Sequence, residues 1–446
     1  MPVAASNQAT PTQRMPARRR PSMPTSGWWV HVICTPGPQI ETGLPVPARG
    51  LVVGRTAPDA EASLPLADPA VSRRHVELIP GADGVRVVDL GSSNGIWVDA
   101  RPVRDVVARD GAVVRLGETV LLLVRGDRVD EDDALGLYGR TPAMAQVRAL
   151  LRRVAPSRLP VLIEGETGTG KELVAQALHA HSLRSGRLVP INCAALSPAL
   201  VESTLFGHRR GAFTSATSDQ DGAFQAAQRG TLLLDEIGDL PLDLQPKLLR
   251  ALENGEVLPV GASQTLLLDV RLLAATLVPL EGAVARGRFR GDLLGRLLGV
   301  QVRLPPLRER RDDVMLLLGH FLPPPLRTVP ATADFVEALL VHPWPRNVRE
   351  LRQLAHRISV LHPAAPRLDV TMLEPAMAAP VTDRTDTAPL PAPDVVAAGP
   401  PAREELVQLL ARHDGNVADV ARSVGRSRKQ VYRWMAAHGV PRGAGR

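Results

Sequence analysis

The sequence of 446 residues predicts a multidomain fold: a β-sandwich, then an α/β domain with a helical lid, then a small all-α unit. Three observations carry that reading. Short β-branched runs broken by Gly, Pro, Asp and Asn fill residues 28–125, as in Leu51-Val-Val53, Val85-Arg-Val-Val88 and Val120-Leu-Leu-Leu-Val124. Strands this short and this closely spaced argue for a sandwich. Strand and helix patterns alternate over 137–376, the mark of an α/β domain. From 403 onward, two short helical patterns flank Gly425.

The stretches between these domains differ in composition. Residues 1–27 are rich in Pro, Ser, Thr, Gln and Arg and are expected to be disordered. Residues 126–136 begin with Gly126–Asp133, five acids and one Arg, which predicts a solvated hinge. Residues 377–402 are rich in Pro, Ala, Thr and Asp and read as a flexible linker. With 44% hydrophobic but only 3% aromatic residues, the cores must be built from Leu, Val and Ala. Two cysteines, Cys34 and Cys193, cannot make a disulfide framework, so a reducing, cytoplasmic setting is expected. No run approaches a membrane span, and Trp28–Cys34 is too short and too interrupted for a signal segment. The net charge of +7 permits a polyanionic partner without requiring one.

The chemistry concentrates at Gly165-Glu166-Thr167-Gly168-Thr169-Gly170-Lys171-Glu172, between the apolar run Val161-Leu-Ile163 and the helical run Leu173–Leu178. Glycines let the backbone close around phosphates, the following helix N-terminus adds positive potential, and Lys171 neutralises the β/γ-phosphate charge. The spacing is that of a P-loop, except that Glu172 stands where Ser or Thr usually holds the metal. Further on, the apolar strand Thr231-Leu-Leu-Leu-Asp235-Glu236 ends in two acids. Asp235 would hold Mg2+ and Glu236 would orient and deprotonate the attacking water. ATP and Mg2+ are therefore the expected cofactors.

Residues 137–360 resemble the AAA+ domain of bacterial enhancer-binding proteins, the sigma-54-dependent transcription activators. The shared stretches include GETGTGKE at 165–172, LFGHRRGAFTSA at 205–216, GTLLLDEIGDL at 230–240, FRGDLLGRL at 289–297, LPPLRER at 304–310 and WPRNVREL at 344–351. The resemblance implies an ATPase that works as a ring, hexameric when active, on sigma-54 RNA polymerase. It implies that Asn192 positions the catalytic Glu236, and that Arg290 and Arg296 are arginine fingers reaching a neighbouring subunit's γ-phosphate. Thr276 remains of a γ-phosphate sensor, Arg349 is the lid arginine that senses nucleotide, and Phe213 and Thr214 grip sigma-54. Three departures stand out: Ser215 for the second glycine of that loop, Leu277 for Asn, and Arg346 for the glycine of the lid turn.

In the sandwich, Gly54-Arg55, Ser72-Arg-Arg-His75 and Gly91-Ser-Ser-Asn94-Gly95 resemble a forkhead-associated (FHA) domain in order and spacing. Arg, Ser and Asn on loops at one end of a sandwich make a small pocket complementary to phosphate. The resemblance implies that Arg55, Ser72 and Arg73 contact phosphothreonine, with Ser93 and Asn94 on the phosphate and peptide-backbone side. Asp99-Ala100 stand where the family often has Asn-Gly.

At the C-terminal end, Val417, Val420, Ala421 and Val424 share one helical face behind the N-cap Asn416, and Ser427–Gln430 opens a second helix with Val431, Trp434 and Met435 inward. Such a helix-turn-helix places its second helix in the major groove. It resembles the Fis-type unit that ends many of these activators. Arg428, Lys429, Tyr432 and Arg433 are the candidates for DNA contact. The expected protein is thus an FHA-gated, sigma-54-dependent activator bound to upstream promoter DNA and responding to a phosphothreonine protein or to its own kinase-modified segment. The second reading is a DNA- and phosphopeptide-binding regulator with a weak or inactive ATPase, for which Leu277 and Ser215 speak.

Overall fold

The structure, a computed structural model, describes residues 25–36, 43–56, 63–129, 135–195, 198–213, 216–374, 377, 403–412, 420, 431, 434, 435 and 438. They belong to two compact units, Met1–Thr382 and Asp383–Arg446.

The first unit opens with the sandwich. One sheet, in the order β2-β1-β11-β10-β7-β8, contains β1 (Thr25–Cys34), β2 (Gly43–Pro47), β7 (Ile96–Val98), β8 (Arg101–Val103), β10 (Ala112–Leu116) and β11 (Thr119–Arg125). The other, β4-β3-β5-β6-β9, contains β3 (Leu51–Gly54), β4 (Ser63–Pro65), β5 (Val76–Pro80), β6 (Val85–Asp89) and β9 (Asp105–Ala108). Trp28, Val30, Leu78, Val87, Val114, Leu121 and Leu123 fill the space between the sheets.

β10 and β11 are buried on both faces. Their alternate residues Val113, Val120 and Leu122 point away from the sandwich and are fully buried in a second cluster, together with Phe335, Leu339 and Trp344. An antiparallel sheet with one wet face alternates apolar and polar residues. The unbroken run Val120–Val124 is the sequence mark of this two-sided burial.

The α/β domain has a parallel sheet, β13-β14-β17-β12-β18, made from β12 (Val161–Glu164), β13 (Leu188–Asn192), β14 (Thr231–Asp235), β17 (Arg271–Thr276) and β18 (Val300–Arg303). A two-stranded ribbon, β15 (Glu256–Val257) with β16 (Leu266–Leu267), lies apart from it. Helices α1 (Pro142–Val154), α2 (Lys171–Ala180), α3 (Pro198–Phe206), α4 (Ala223–Ala226), α5 (Gln245–Asn254), α6 (Glu281–Ala285) and α7 (Gly291–Leu297) connect the strands. Neighbouring residues of one strand enter opposite cores: Leu232 and Leu234 pack with Leu248 and Leu293, whereas Leu233 packs with Leu178 and Leu151. Strands buried this way read as continuous Leu/Val/Ala runs.

The lid consists of α8 (Asp312–Phe321), α9 (Pro324–Arg327), α10 (Ala333–Val341) and α11 (Asn347–Leu361). Its α10 packs on β1, β10 and β11 of the sandwich. The expected solvated hinge is corrected over its first residues. Arg128 donates from Nε and Nη2 to both carboxylate oxygens of Asp312, at 2.8 and 2.6 Å, so this segment is fastened to the lid. Residues 130–134 lie outside the described residues.

In the second unit, α12 (Arg403–Arg412) places Leu406 and Leu410 one turn apart, buried with Val420, Val431 and Met435, and Trp434 packs against them. Arg428, Lys429, Tyr432 and Arg433 lie outside the described residues. Among the described residues, no helix is long and apolar enough to cross a membrane.

Candidate functional site

β12 ends at Glu164 and the chain turns through Gly165–Gly170 into α2, so the P-loop lies at the carboxyl edge of the parallel sheet, where ligands bind in such folds. Gly168 has φ +78°, and a Cβ there would lie 2.2 Å from the Arg346 carbonyl oxygen. Only glycine permits this approach of P-loop to lid. Thr169 Oγ1 donates to the Glu166 carbonyl at 2.8 Å, and Lys171 Nζ to the Gly165 carbonyl at 2.9 Å.

A cavity of about 660 Å³ opens here, lined by Thr167–Glu172, Asn192, Asp235, Glu236 and Arg349 among others. The sequence thus named much of its wall. Burial pulls the Lys171 ammonium below its ordinary pKa, a pull that Glu236 and Asp235 oppose. Burial likewise pushes Glu236 up, against the attraction of Lys171 and a hydrogen bond from the Leu277 backbone. Leu277 therefore serves Glu236 through its amide, although its side chain is 40% exposed. A carboxylate raised in pKa, beside a lysine and in a cleft, is the usual signature of a working base.

Asn192 stands in the cavity wall with Asp235 and Glu236, and its Oδ1 accepts from the Ala194 and Ala195 amides, at 2.9 and 3.1 Å. The short 3-10 turn that follows β13 has orphan N–H groups, and Asn192 caps them. Thr276 is 2% exposed and donates to the Val278 carbonyl at 2.8 Å, away from the cavity. Arg290 and Arg296 lie exposed at the two ends of α7, outside their own chain's cavity, with Arg290 bidentate to Asp292. Arg346 needs no glycine-like backbone, with φ −111°. The positive φ values of the lid turn fall instead on Trp344 and Asn347, at 50° and 51°.

Sequence reasoning missed the supports. Glu166, expected among the nucleotide-binding residues, is not among those that line the cavity; it forms a bidentate pair with Arg308, at 2.8 and 2.6 Å, which holds its carboxyl below the usual range. Arg310 is buried and donates to the Thr169 carbonyl at 3.3 Å. Asp313 accepts from the Arg140 and Thr141 amides and from Thr141 Oγ1. The clue was present: Arg308 and Arg310 stand in LPPLRER, one of the recognised stretches.

A metal would have to use Asp235. Among the described residues, no three His, Cys, Asp or Glu side chains converge as a metal cage. One or two carboxylates beside a phosphate loop suit Mg2+, which keeps waters and takes phosphate oxygens.

In the sandwich, three loops meet at one end. The Arg55 amide donates to the Ser72 carbonyl at 2.9 Å, the Ser93 amide to Ser72 Oγ at 3.1 Å, and Asn94 Nδ2 to the Ala70 carbonyl at 2.8 Å. Arg55, Arg73, Ser93 and Asn94 are exposed there, around half-buried Ser72. His75 is fully buried and braces them. The Ser72 amide donates to Nδ1, which places the ring proton on Nε2, facing the Gly95 carbonyl at 3.0 Å. Asp68, also fully buried, ties the same loop to the β10–β11 turn through the Ala70 and Glu118 amides and Thr119 Oγ1.

The loop at 207–216 folds back on itself. The Gly211 amide donates to the Ala216 carbonyl, and the Phe213 ring lies 4.8 Å from that of His208, 39% exposed. Thr214 and Ser215 lie outside the described residues.

Residues 137–303 match the sigma-54 interaction domain family, 51–117 the FHA domain family and 308–389 the AAA+ ATPase lid domain family. The transcriptional regulatory protein ZraR of Escherichia coli O157:H7 is 42% identical over 305 residues, 66% of this chain and 67% of that protein. The DNA-binding transcriptional regulator NtrC of Azospirillum brasilense is 47% identical over 243 residues, 53% of this chain and 50% of that protein. A crystal structure of NtrX from Brucella abortus in complex with ADP superposes with a TM-score of 0.50 at 32% identity, covering 70% of each chain. The chain belongs to the sigma-54-dependent transcriptional regulators, with an AAA+ ATPase domain and lid behind an FHA domain. It spans about half the length of that NtrC and of the putative uric acid sigma-54-dependent transcriptional regulator UacR of Escherichia coli (strain K12).

Proposed function

We propose that this chain is an ATP-driven activator of sigma-54 RNA polymerase, gated by a phosphothreonine ligand and bound to upstream DNA. The observation that carries the enzymatic part is the gathering of the P-loop, Lys171, Asp235, Glu236 and Arg349 around one cavity. The P-loop amides and Lys171 bind the phosphates, Asp235 holds Mg2+ and Glu236 takes the proton of the attacking water. Mg2+, when bound, neutralises charge on the β- and γ-phosphate oxygens. Arg349 holds the nucleotide from the lid side. Arg290 and Arg296 act on a neighbouring subunit in a hexameric ring, which accords with their exposure away from their own cavity. Phe213 and Thr214 present the contact to sigma-54. Arg428, Lys429, Tyr432 and Arg433 contact DNA from a Fis-type helix-turn-helix. Arg55, Ser72, Arg73, Ser93 and Asn94 receive the phosphothreonine, a reading supported by their place on three loops that the Arg55–Ser72, Ser93–Ser72 and Asn94–Ala70 hydrogen bonds tie together, since arginine, hydroxyl and amide groups suit a phosphate.

A second reading, a DNA- and phosphopeptide-binding regulator whose ring binds ATP and scarcely cleaves it, is favoured by one observation: Thr276 Oγ1 is committed to the Val278 carbonyl, and Thr276 is not among the residues that line the cavity. Steady-state ATPase activity of the full chain across protein concentration separates the two. Specific activity rising with concentration, and lost in Arg296→Ala, supports the ring mechanism. Activity below about one turnover per hour at every concentration, with ATP bound, supports the second reading.

A further inference from the structure

The sandwich and the lid share one core with a polar rim around it. Val113, Val120 and Leu122 of β10 and β11 are 0% exposed in the cluster that holds the lid's Phe335, Leu339 and Trp344. Around them, Arg115 pairs with Asp334 and Glu337, and Cys34 Sγ donates to the Ala331 carbonyl at 3.4 Å. Asp312 receives His31 Nδ1 at 2.9 Å and the Arg128 guanidinium. Arg311 Nη1 donates to Asp99 Oδ1 at 3.0 Å and to the Gly111 carbonyl at 2.8 Å.

The four consecutive residues 310–313 form a junction. Arg310 reaches the P-loop at Thr169, Arg311 and Asp312 grip the sandwich, and Asp313 holds the start of α1 beside the cavity. One helix, α8, starts in this junction and lines the nucleotide cavity with Leu317, His320 and Phe321. On the sandwich side, the three-residue strand β7 joins the two ends. Its N-terminal neighbour Gly95, next to Ser93 and Asn94, accepts a hydrogen bond from His75 at its carbonyl, and its C-terminal neighbour is Asp99.

Asp99 and Ala100 are in the left-handed region, with φ 48° and 62°. A non-glycine pair there is strained and is tolerated only where the surroundings enforce it. The FHA family often places Asn-Gly at this turn. A carboxylate in that place gives Arg311 an ionic partner that asparagine cannot supply.

We propose that sandwich and lid form one body, so that a phosphothreonine peptide and an adenine nucleotide are linked ligands, each changing the affinity for the other through the Asp99–Arg311 contact. The proposal rests on the phosphothreonine reading above. Linkage requires the change to be equal in both directions.

The test uses the full chain, a degenerate phosphothreonine peptide pool carrying a fluorophore, and a fluorescent ADP analogue. ADP affinity is measured with and without saturating peptide, and peptide affinity with and without saturating ADP. A change of about fivefold or more, equal in the two directions, is expected. Asp99→Asn and Arg311→Ala should each bring the change to within twofold while both ligands still bind. Two ligands that bind with affinities independent of each other in the unaltered protein overturn the linkage and leave the phosphothreonine reading standing. A linkage that persists undiminished in both variants overturns the assigned contact. ADP binding with no peptide binding at all overturns the phosphothreonine reading, and the linkage with it.

Discussion

Asn347 of the lid turn donates from Nδ2 to Glu166 Oε2 of the P-loop, at 3.2 Å, and in doing so fixes the lid to the phosphate loop. The same amide nitrogen donates to the Thr167 carbonyl at 3.0 Å, and Oδ1 accepts from the Leu307 amide at 2.7 Å. Asn347 is fully buried at φ +51°, a region that asparagine tolerates better than other branched or bulky residues.

Asn347→Ala should therefore destabilise the chain by about 2–3 kcal/mol, since it strands a buried Leu307 N–H and removes two further hydrogen bonds. Arg308→Gln should cost well under that, about 1 kcal/mol or less, because the Arg308–Glu166 pair is 40% exposed on both sides. Urea unfolding of the full-length variants measures both. Equal losses in the two would show that the charge pair, not the buried amide, holds the lid.

The P-loop and the acid pair were legible because their chemistry is local: phosphate needs contiguous amides, and Asp235-Glu236 end one strand. The FHA loops were legible for the same reason, with Ser72–His75 and Gly91–Gly95 each within one turn. Contacts between distant segments left weaker marks. His31 and Asp312 are 281 residues apart, and nothing in either neighbourhood names the other. The run Val120–Val124 did carry a mark, since it has no polar face, but a strand pattern alone does not say what covers the second side.

Acid should loosen the joint between sandwich and lid in a defined window. Burial pushes Asp312 up, but hydrogen bonds from Arg128 and His31 outweigh it, leaving the carboxyl at about 2 against an ordinary 3.8. A folded-state pKa below the unfolded one stabilises above the unfolded value and is lost as pH falls through the folded one. For this shift the contribution is about 2 kcal/mol, present above roughly pH 4 and gone near pH 2. Urea midpoints of the unaltered chain and Asp312→Asn, taken from pH 6 downward, should converge across that window. A constant gap between them would mean that Asp312 is not the titrating group.

If Glu236 is the base proposed above, it sets the acid limb of hydrolysis. Its carboxyl is raised above 4.5 by burial, so the basic form is lost at a higher pH than for a free glutamate. The kcat profile should fall with a midpoint above 4.5, and Glu236→Gln should keep ATP binding while losing at least about 100-fold in kcat. Lys171→Ala should instead lose the nucleotide. Hydrolysis in Glu236→Gln within tenfold of the unaltered chain would assign the base elsewhere.

The loop of Phe213 should separate ATP turnover from its output. Phe213 sits on His208, which in turn is bonded through Nδ1 to Ser203 of α3 at 2.7 Å, and neither Phe213 nor His208 lines the nucleotide cavity. Replacing Phe213 by Ala removes an apolar surface without touching the phosphate site. Hydrolysis should stay within about threefold, under roughly 1 kcal/mol in barrier. Complex formation between the full chain and sigma-54, measured with a transition-state analogue of ATP, should be lost in Phe213→Ala and in Thr214→Ala. His208→Ala should weaken it less, since the ring only supports Phe213 from behind. Undiminished binding by Phe213→Ala and Thr214→Ala would move the sigma-54 contact off this loop. Loss of hydrolysis in Phe213→Ala would show instead that the loop and the phosphate site are one mechanical element.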